Sequence, residues 1–306
     1  MDAEDRIIQR ILGLVPPPSP LVRVPPGDDG AVLSDGTVLT TDALVEGVHF
    51  DGRSSGADVG FKAVAVNVSD VAAMGARPTW MLLTLSVPGD DAWLADFAVG
   101  LAEAAERWGV MLVGGDTTST PGPRTIGVQM AGALAGRPLL RRGGQPGDRI
   151  LITGTPGLAA AGYLHANPAP EALRALRRPL PDPELAAALA PIATAGMDLS
   201  DGLRADLPRL CRASGVGAVI DPGALPDHPA LHGPDLPART LQLAGGDDYD
   251  LLITVPPDQV VRSQAIARDL GHRITDIGRL TSSSQVLLTD GPWPPAPWAH
   301  FPGESR

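Results

Sequence analysis

Cysteine is nearly missing from this 306-residue chain. Cys211 stands alone, which excludes an intramolecular disulfide and any cysteine-built metal site. Lysine is as scarce: Lys62 is the single one among 24 cationic side chains. Its surroundings, Gly60-Phe61-Lys62-Ala63, are not a phosphate-binding G-x-x-x-x-G-K-[ST] loop, and none occurs elsewhere. Lys62 is therefore expected at a helix surface or cap. The His-Arg-Asp and Asp-Phe-Gly sets of protein kinases are absent too. No run of about 18 apolar residues is present, so no membrane span is expected. The first residues, Met1 to Arg6, show neither the basic nor the apolar region of a signal peptide, and a cytoplasmic location is expected. Positive charge is in deficit: the net charge is −11, which argues against nucleic acid or an anionic membrane as partner.

What the chain does have is acid beside small residues. Thr40-Thr41-Asp42-Ala43-Leu44-Val45-Glu46-Gly47-Val48-His49-Phe50 follows the β-prone run 37–39. Thr40 to Asp42 are expected at a strand end, with two hydroxyls and a carboxylate turned into a cleft. A hard cation such as Mg²⁺ takes oxygen ligands of this kind, and His49 can donate to a substrate phosphate. Alone, the stretch reads equally as a capped strand end beside a solvated loop. Comparable clusters recur at Gly27-Asp28-Asp29-Gly30-Ala31, Asn67-Val68-Ser69-Asp70, Gly114-Gly115-Asp116-Thr117-Thr118, Asp198-Leu199-Ser200-Asp201-Gly202 and Gly245-Gly246-Asp247-Asp248-Tyr249-Asp250. Six such segments suggest one acidic cleft assembled from distant parts of the chain. The chemistry suited to it is metal-dependent handling of phosphates.

With 43% hydrophobic residues the chain can fill two ordinary cores. Helices are predicted over 5–14, 60–76, 91–108, 157–166, 183–195, 202–214 and 258–270. Asn67 and Asp70, three residues apart, share one face of the second. Strands are predicted over 80–87, 110–113, 125–135, 149–153, 218–220, 250–255, 273–280 and 285–289. The apolar strand 80–87 has few charges to protect an edge and calls for a cover. The Gly- and Pro-rich segment 136–148 separates two expected domains, 1–137 and 138–306. Elements alternate without a regular βαβ beat, so the fold class is α+β with a mixed, partly antiparallel sheet in each half. Asp248 and Asp250 read first as strand-flanking groups, and Cys211 as a small buried apolar group. His228, His232, His272 and His300 are expected to be solvated.

Over nearly its whole length the sequence resembles the thiamine-monophosphate kinase family, of the aminoimidazole ribonucleotide synthetase-like superfamily. The resemblance is carried by the acidic segments above together with Lys62-Ala63-Val64-Ala65-Val66-Asn67-Val68-Ser69-Asp70-Val71-Ala72-Ala73-Met74-Gly75-Ala76 and Met197-Asp198-Leu199-Ser200-Asp201-Gly202-Leu203. It implies a homodimer whose N-terminal sheets join, a C-terminal α/β sandwich, and ATP-dependent phosphorylation of thiamine monophosphate to the diphosphate. By motif, Asp29, Thr40, Thr41, Asp42, Asp70, Asp116, Asp198 and Asp201 would bind Mg²⁺, with Asp42 and Asp201 central to catalysis. Gly115, Arg141 and Ser200 would contact ATP, with adjacent Arg142 the other candidate cation. His49, Asp247 and Trp298 would contact the acceptor. The family usually carries Glu where this chain has Asp247 and Asp250, one methylene shorter. The alternatives are a relative acting on another acceptor, or a non-catalytic binder of Mg-nucleotide or thiamine phosphate. Relatives that rely on a cysteine near a terminus fit poorly with interior Cys211.

Overall fold

Residues 3–89 and 91–297 are described by the computed structural model. The first half comprises α1 (Ala3–Leu12), β1 (Val22–Val24), β2 (Ala31–Leu33), β3 (Thr37–Val45), α2 (Gly56–Ala73), β4 (Ala76–Val87), α3 (Asp91–Trp108), β5 (Met111–Ser119) and β6 (Thr125–Leu134). Its sheet runs β1-β2-β3-β6-β4-β5, antiparallel except for the parallel pair β4–β5. The second half comprises β7 (Arg149–Thr153), α4 (Leu158–Leu164), α5 (Pro170–Arg177), α6 (Pro183–Leu189), β8 (Ala195–Leu199), α7 (Leu203–Ser214), β9 (Gly217–Ile220), α8 (Ala238–Ala244), β10 (Asp250–Val255), α9 (Val260–Asp269), β11 (Ile274–Thr281) and β12 (Val286–Leu288). Its sheet runs β12-β9-β11-β7-β10-β8, with β12–β9 the one parallel pair. The mixed sheet expected in each half is present.

Helix α2 is the hub. It begins at Gly56, earlier than its apolar pattern predicts, because Ser55 and Asp58 form a reciprocal capping box. Fifteen of its residues are buried, nearly all round the helix, as befits a helix enclosed by other elements. One side packs on α3 and on the inner face of the first sheet. Ala72 and Ala73, at its far end, join Leu139, Leu151, Leu185, Leu189 and Ile253 in a core shared by both halves. A further core lies between the second sheet and α7, where Cys211 is 2% exposed, as expected.

The structure departs from the expected elements in several places. Thr40 to Asp42 sit inside β3, not at its end, because pairing with β6 carries the strand on to Val45. The cover that strand 80–87 calls for comes from within the chain: it belongs to β4, which is flanked by β6 and β5. The edge is β5 instead, longer than predicted, with every residue exposed and Gly114-Gly115-Asp116 in its middle rather than at its end. The helix expected over 183–195 ends at Leu189, since Ala190 makes the last helical hydrogen bond and Pro191 has no N–H to carry the ladder on. The chain then enters β8, a strand outside the expected set.

Candidate active site

Successive side chains of a strand point to opposite faces, and this sorts the Thr40-Thr41-Asp42 run. The Thr40 hydroxyl donates to a carboxylate oxygen of Asp70 at 2.6 Å and to the Asp29 carbonyl at 3.0 Å. The Thr41 hydroxyl turns the other way and donates to the Val128 carbonyl on β6 at 3.1 Å. Asp42 is tied to α2 through its own N–H, which the buried Asn67 side chain accepts at 3.1 Å. Asn67 in turn donates to the Ala63 carbonyl. Asn67 and Asp70 therefore do share one face, and that face lies against β3.

Asp198, inside β8, comes from the opposite half. Its carboxylate accepts from the buried Ser69 hydroxyl at 2.9 Å. Asp29, Asp70 and Asp198 place one oxygen each within 4.8 Å of one another. Burial comes first among the causes that push all three carboxyls above their ordinary range. The charges of Asp198, Asp42 and Asp29 add to the push at Asp70, and Asp29 and Asp206 add to it at Asp198. Arg141 opposes it at Asp29, whose carboxylate it grips through Nη2 and through Nε at 3.1 Å. A cluster of oxygens with too few cations fits a hard divalent cation such as Mg²⁺.

The loop after β8 is joined to the loop before β10. Gly202 has φ +86°, and a Cβ on it would lie 1.6 Å from the Gly245 carbonyl, so only glycine lets the segments meet. Asp247 N–H donates to the Ser200 carbonyl at 2.7 Å and Tyr249 N–H to the Leu199 carbonyl at 2.8 Å. Both residues hold left-handed backbone, φ 71° and 55°. On α7, Arg209 bridges Asp201 at 2.5 Å and Asp206 at 2.9 Å. Burial, then the Asp201 charge, pushes the Asp206 carboxyl up to about 7.

These groups line one cleft of about 1100 Å³ between the halves. It gathers Asp29, Thr40, Asp42, His49, Asp70, Arg141, Asp198, Ser200, Asp201 and Asp247 from the expected set; Thr41 also borders it, though its hydroxyl faces away. Arg142 is exposed and does not line it. The His49 ring accepts the Val45 N–H at Nδ1, 3.0 Å, which makes Nε2 the protonated nitrogen of the neutral ring. Gly115 and Asp116 do not line the cleft; they lie on the exposed β5 edge. Trp298, His300 and Phe301 lie outside the described residues.

Among residues outside the expected site, Asp248 caps α4 by accepting from Gly157 and Ala159 N–H. Asp250 accepts from the Thr153 hydroxyl at the start of β10. Asp250 thus flanks a strand as expected, whereas Asp248 serves a helix start. His232 and His272 are exposed, whereas His228 is half-buried and its ring accepts the Ala230 N–H. Lys62 is a correction. It is buried and ion-paired with Asp247 rather than at a surface or cap, because α2 is enclosed on that side too. Asp206, Arg209 and Ser69 were also missed. The pattern Asp201-x-x-x-x-Asp206-x-x-Arg209 at one helix start was the available signal for two of them.

Fold and site together define an AIR synthase related protein. The descriptions of that family's N-terminal and C-terminal domains match residues 27–134 and 145–290. The chain is 40% identical over 278 residues to thiamine-monophosphate kinase of Salmonella typhimurium, covering 85% of each. The crystal structure of thiamine-monophosphate kinase from Stenotrophomonas maltophilia K279a superposes with a TM-score of 0.78 at 36% identity, covering 95% of this chain and 96% of that one. A structure described as AaThiL complexed with AMPPCP and TMP gives 0.83 at 30% identity, covering 98% and 99%. The chain belongs to the thiamine-monophosphate kinase family.

Proposed function

We propose that this protein is an ATP-dependent kinase that converts thiamine monophosphate to thiamine diphosphate. The observation that carries the reading is the convergence of Asp29, Asp70 and Asp198, remote in sequence, within ligand distance in a cleft between the halves. The relative bound to AMPPCP, an ATP analogue, and TMP supports the two substrates. Asp29, Asp70 and Asp198 would hold Mg²⁺, with Thr40, Asp42 and Asp201 around them. Bound there, Mg²⁺ neutralises phosphate oxygens and relieves the repulsion between two anionic substrates.

The chain's own groups orient the reactants. Arg141 borders the acidic cluster and supplies positive charge for the ATP phosphates, with Ser200 beside it. His49 presents Nε2–H to the acceptor phosphate, and Asp247 meets the rest of the acceptor. That phosphate is already ionised near neutral pH, so the attacking oxygen needs no strong base. Transfer is direct. Cys211 lines no part of the cleft, and burial pushes its thiol up to about 12.

Asp116 is exposed on β5 and reaches a metal only in another copy's cleft. The apolar residues Met111, Leu112 and Val113 on the same edge suit strand pairing in a homodimer. A cytoplasmic location fits the substrates. The test is ADP release with each substrate omitted in turn. ADP formed only when thiamine monophosphate is present supports the kinase; ADP formed without it, or none at all, removes the reading.

A further inference from the structure

The single lysine of the chain lies where an ammonium is costly. Lys62 sits in the buried run of α2 among Val59, Phe61, Ala63 and Val64, with its side chain 4% exposed. Removing an ammonium from water carries a large penalty that one ion pair seldom repays, and an apolar side chain of similar volume is the cheaper way to fill such a site. Packing alone therefore does not explain a lysine here. Its partner is Asp247, whose side chain remains 27% exposed and borders the cleft.

Asp247 is held from several sides. Lys62 Nζ donates to Oδ2 of its carboxylate. The Tyr249 side chain is buried beside the same carboxylate, and burial followed by the Asp247 charge holds its hydroxyl well above the ordinary tyrosine range. The backbone at Asp247 and Tyr249 lies in the left-handed region, uncommon for residues other than glycine and costly to hold. Two backbone hydrogen bonds pin this loop to Leu199 and Ser200, beside the acidic cluster. The ion pair also cancels the Asp247 charge, so this end of the cleft repels an anionic acceptor less than the carboxylate cluster does.

We propose that Lys62 is a positioning residue for the acceptor: it fixes one oxygen of the Asp247 carboxylate so that the other meets thiamine monophosphate. This rests on Asp247 being an acceptor contact of the kinase. The shorter Asp247 suits the arrangement. It has one rotatable bond fewer than glutamate, and a lysine reaching from α2 sets the remaining ones. Lys62 borders the cleft, but its ammonium is engaged by Asp247, so it acts through that carboxylate.

Lys62→Met, Asp247→Asn and the double variant test this against the wild type. The readouts are KM for each substrate, calorimetric binding of thiamine monophosphate and of an ATP analogue, and Tm. Lys62→Met should weaken thiamine monophosphate, in KM and in direct binding, by about tenfold or more, as expected for a lost charged hydrogen bond. It should leave the nucleotide within about twofold, a split that a merely structural lysine would not produce. The double variant should bind the acceptor no worse than Asp247→Asn alone, because residues acting as a unit are non-additive. If Lys62→Met does not fold, the double variant, which buries no unpaired charge, is compared with Asp247→Asn instead. It should melt higher and bind alike. Additive losses, equal effects on both substrates, or normal acceptor binding by a folded Lys62→Met overturn the proposal. A wild type that binds thiamine monophosphate without turning it over removes the kinase reading and leaves this one standing; a wild type that does not bind it overturns both.

Discussion

The tripeptide Gly-Gly-Asp occurs twice, and its two copies share no structure. At 114–116 it is extended in the middle of β5, exposed, and parallel to β4, with Asp116 opposite Thr84. At 245–247 it is an irregular loop whose aspartate has φ 71°, is pinned to the Ser200 carbonyl and is ion-paired to a buried lysine. Even the glycines serve different ends. A Cβ on Gly115 would strike the Leu83 carbonyl of the adjoining strand at 1.9 Å, so glycine there permits strand pairing. Gly246 packs against the Ser200 carbonyl and the Asp201 backbone, so glycine there joins two loops of the cleft. Local sequence offers the same options at both places, and the neighbours select. One copy borders a cleft within the chain; the other lies exposed on a sheet edge.

The sharpest way to break that contrast is kinetic. Asp42→Asn and Asp116→Asn should each cost at least about a hundredfold in kcat, as for loss of one preorganised charge-stabilising group, and Asp42→Asn should leave the fold and the dimer intact. Co-expressed in one cell, the two variants should regain activity, because a mixed dimer holds one cleft with both aspartates. If Asp116 served its own chain's cleft, no mixture would recover, and the contrast between inward and outward copies would fall.

A smaller effect concerns the fold. Gly202→Ala combines φ +86° with a Cβ 1.6 Å from the Gly245 carbonyl, so it should destabilise by about 3 kcal/mol or more in urea. Gly114→Ala, on the outward strand, meets only the Leu82 Cδ2 at 3.3 Å and should change stability by less than about 1 kcal/mol. Equal losses would mean that β5 is as tightly constrained as the cleft loops.

The gentlest test varies pH and metal. Asp29, Asp70 and Asp198 have folded-state pKa values raised first by burial and then by neighbouring carboxylates. The stability they lend is complete below the ordinary carboxylate range and is lost as pH rises through their raised values. In EDTA, Tm should therefore fall from pH 5 to pH 8. Mg²⁺ binds the deprotonated cluster and should raise Tm more at pH 8 than at pH 5. A Tm in EDTA that rises with pH would contradict the buried cluster.

The sequence by itself determined the chemical inventory and much of the element list. Apolar periodicity marked α2, β4 and β10, and the spacing of Asn67 and Asp70 put both on one helix face because helical periodicity is a local property. The repeated acids beside glycine and hydroxyl residues announced an oxygen-rich cleft before any fold was known. Side-chain direction was only partly legible: alternation along a strand separates Thr41 from Thr40 and Asp42 once those residues are known to lie within β3. Tertiary structure alone decided the rest. Whether 80–87 formed an edge depended on β5 lying beside it, and whether Lys62 was surface or core depended on the loop of Asp247 closing over α2. Neither fact has a local signature, since the partners are 31 or more residues away in the chain. Burial, ion pairing and the raised carboxyl pKa values follow from what packs against a residue, and that is set by the whole chain at once.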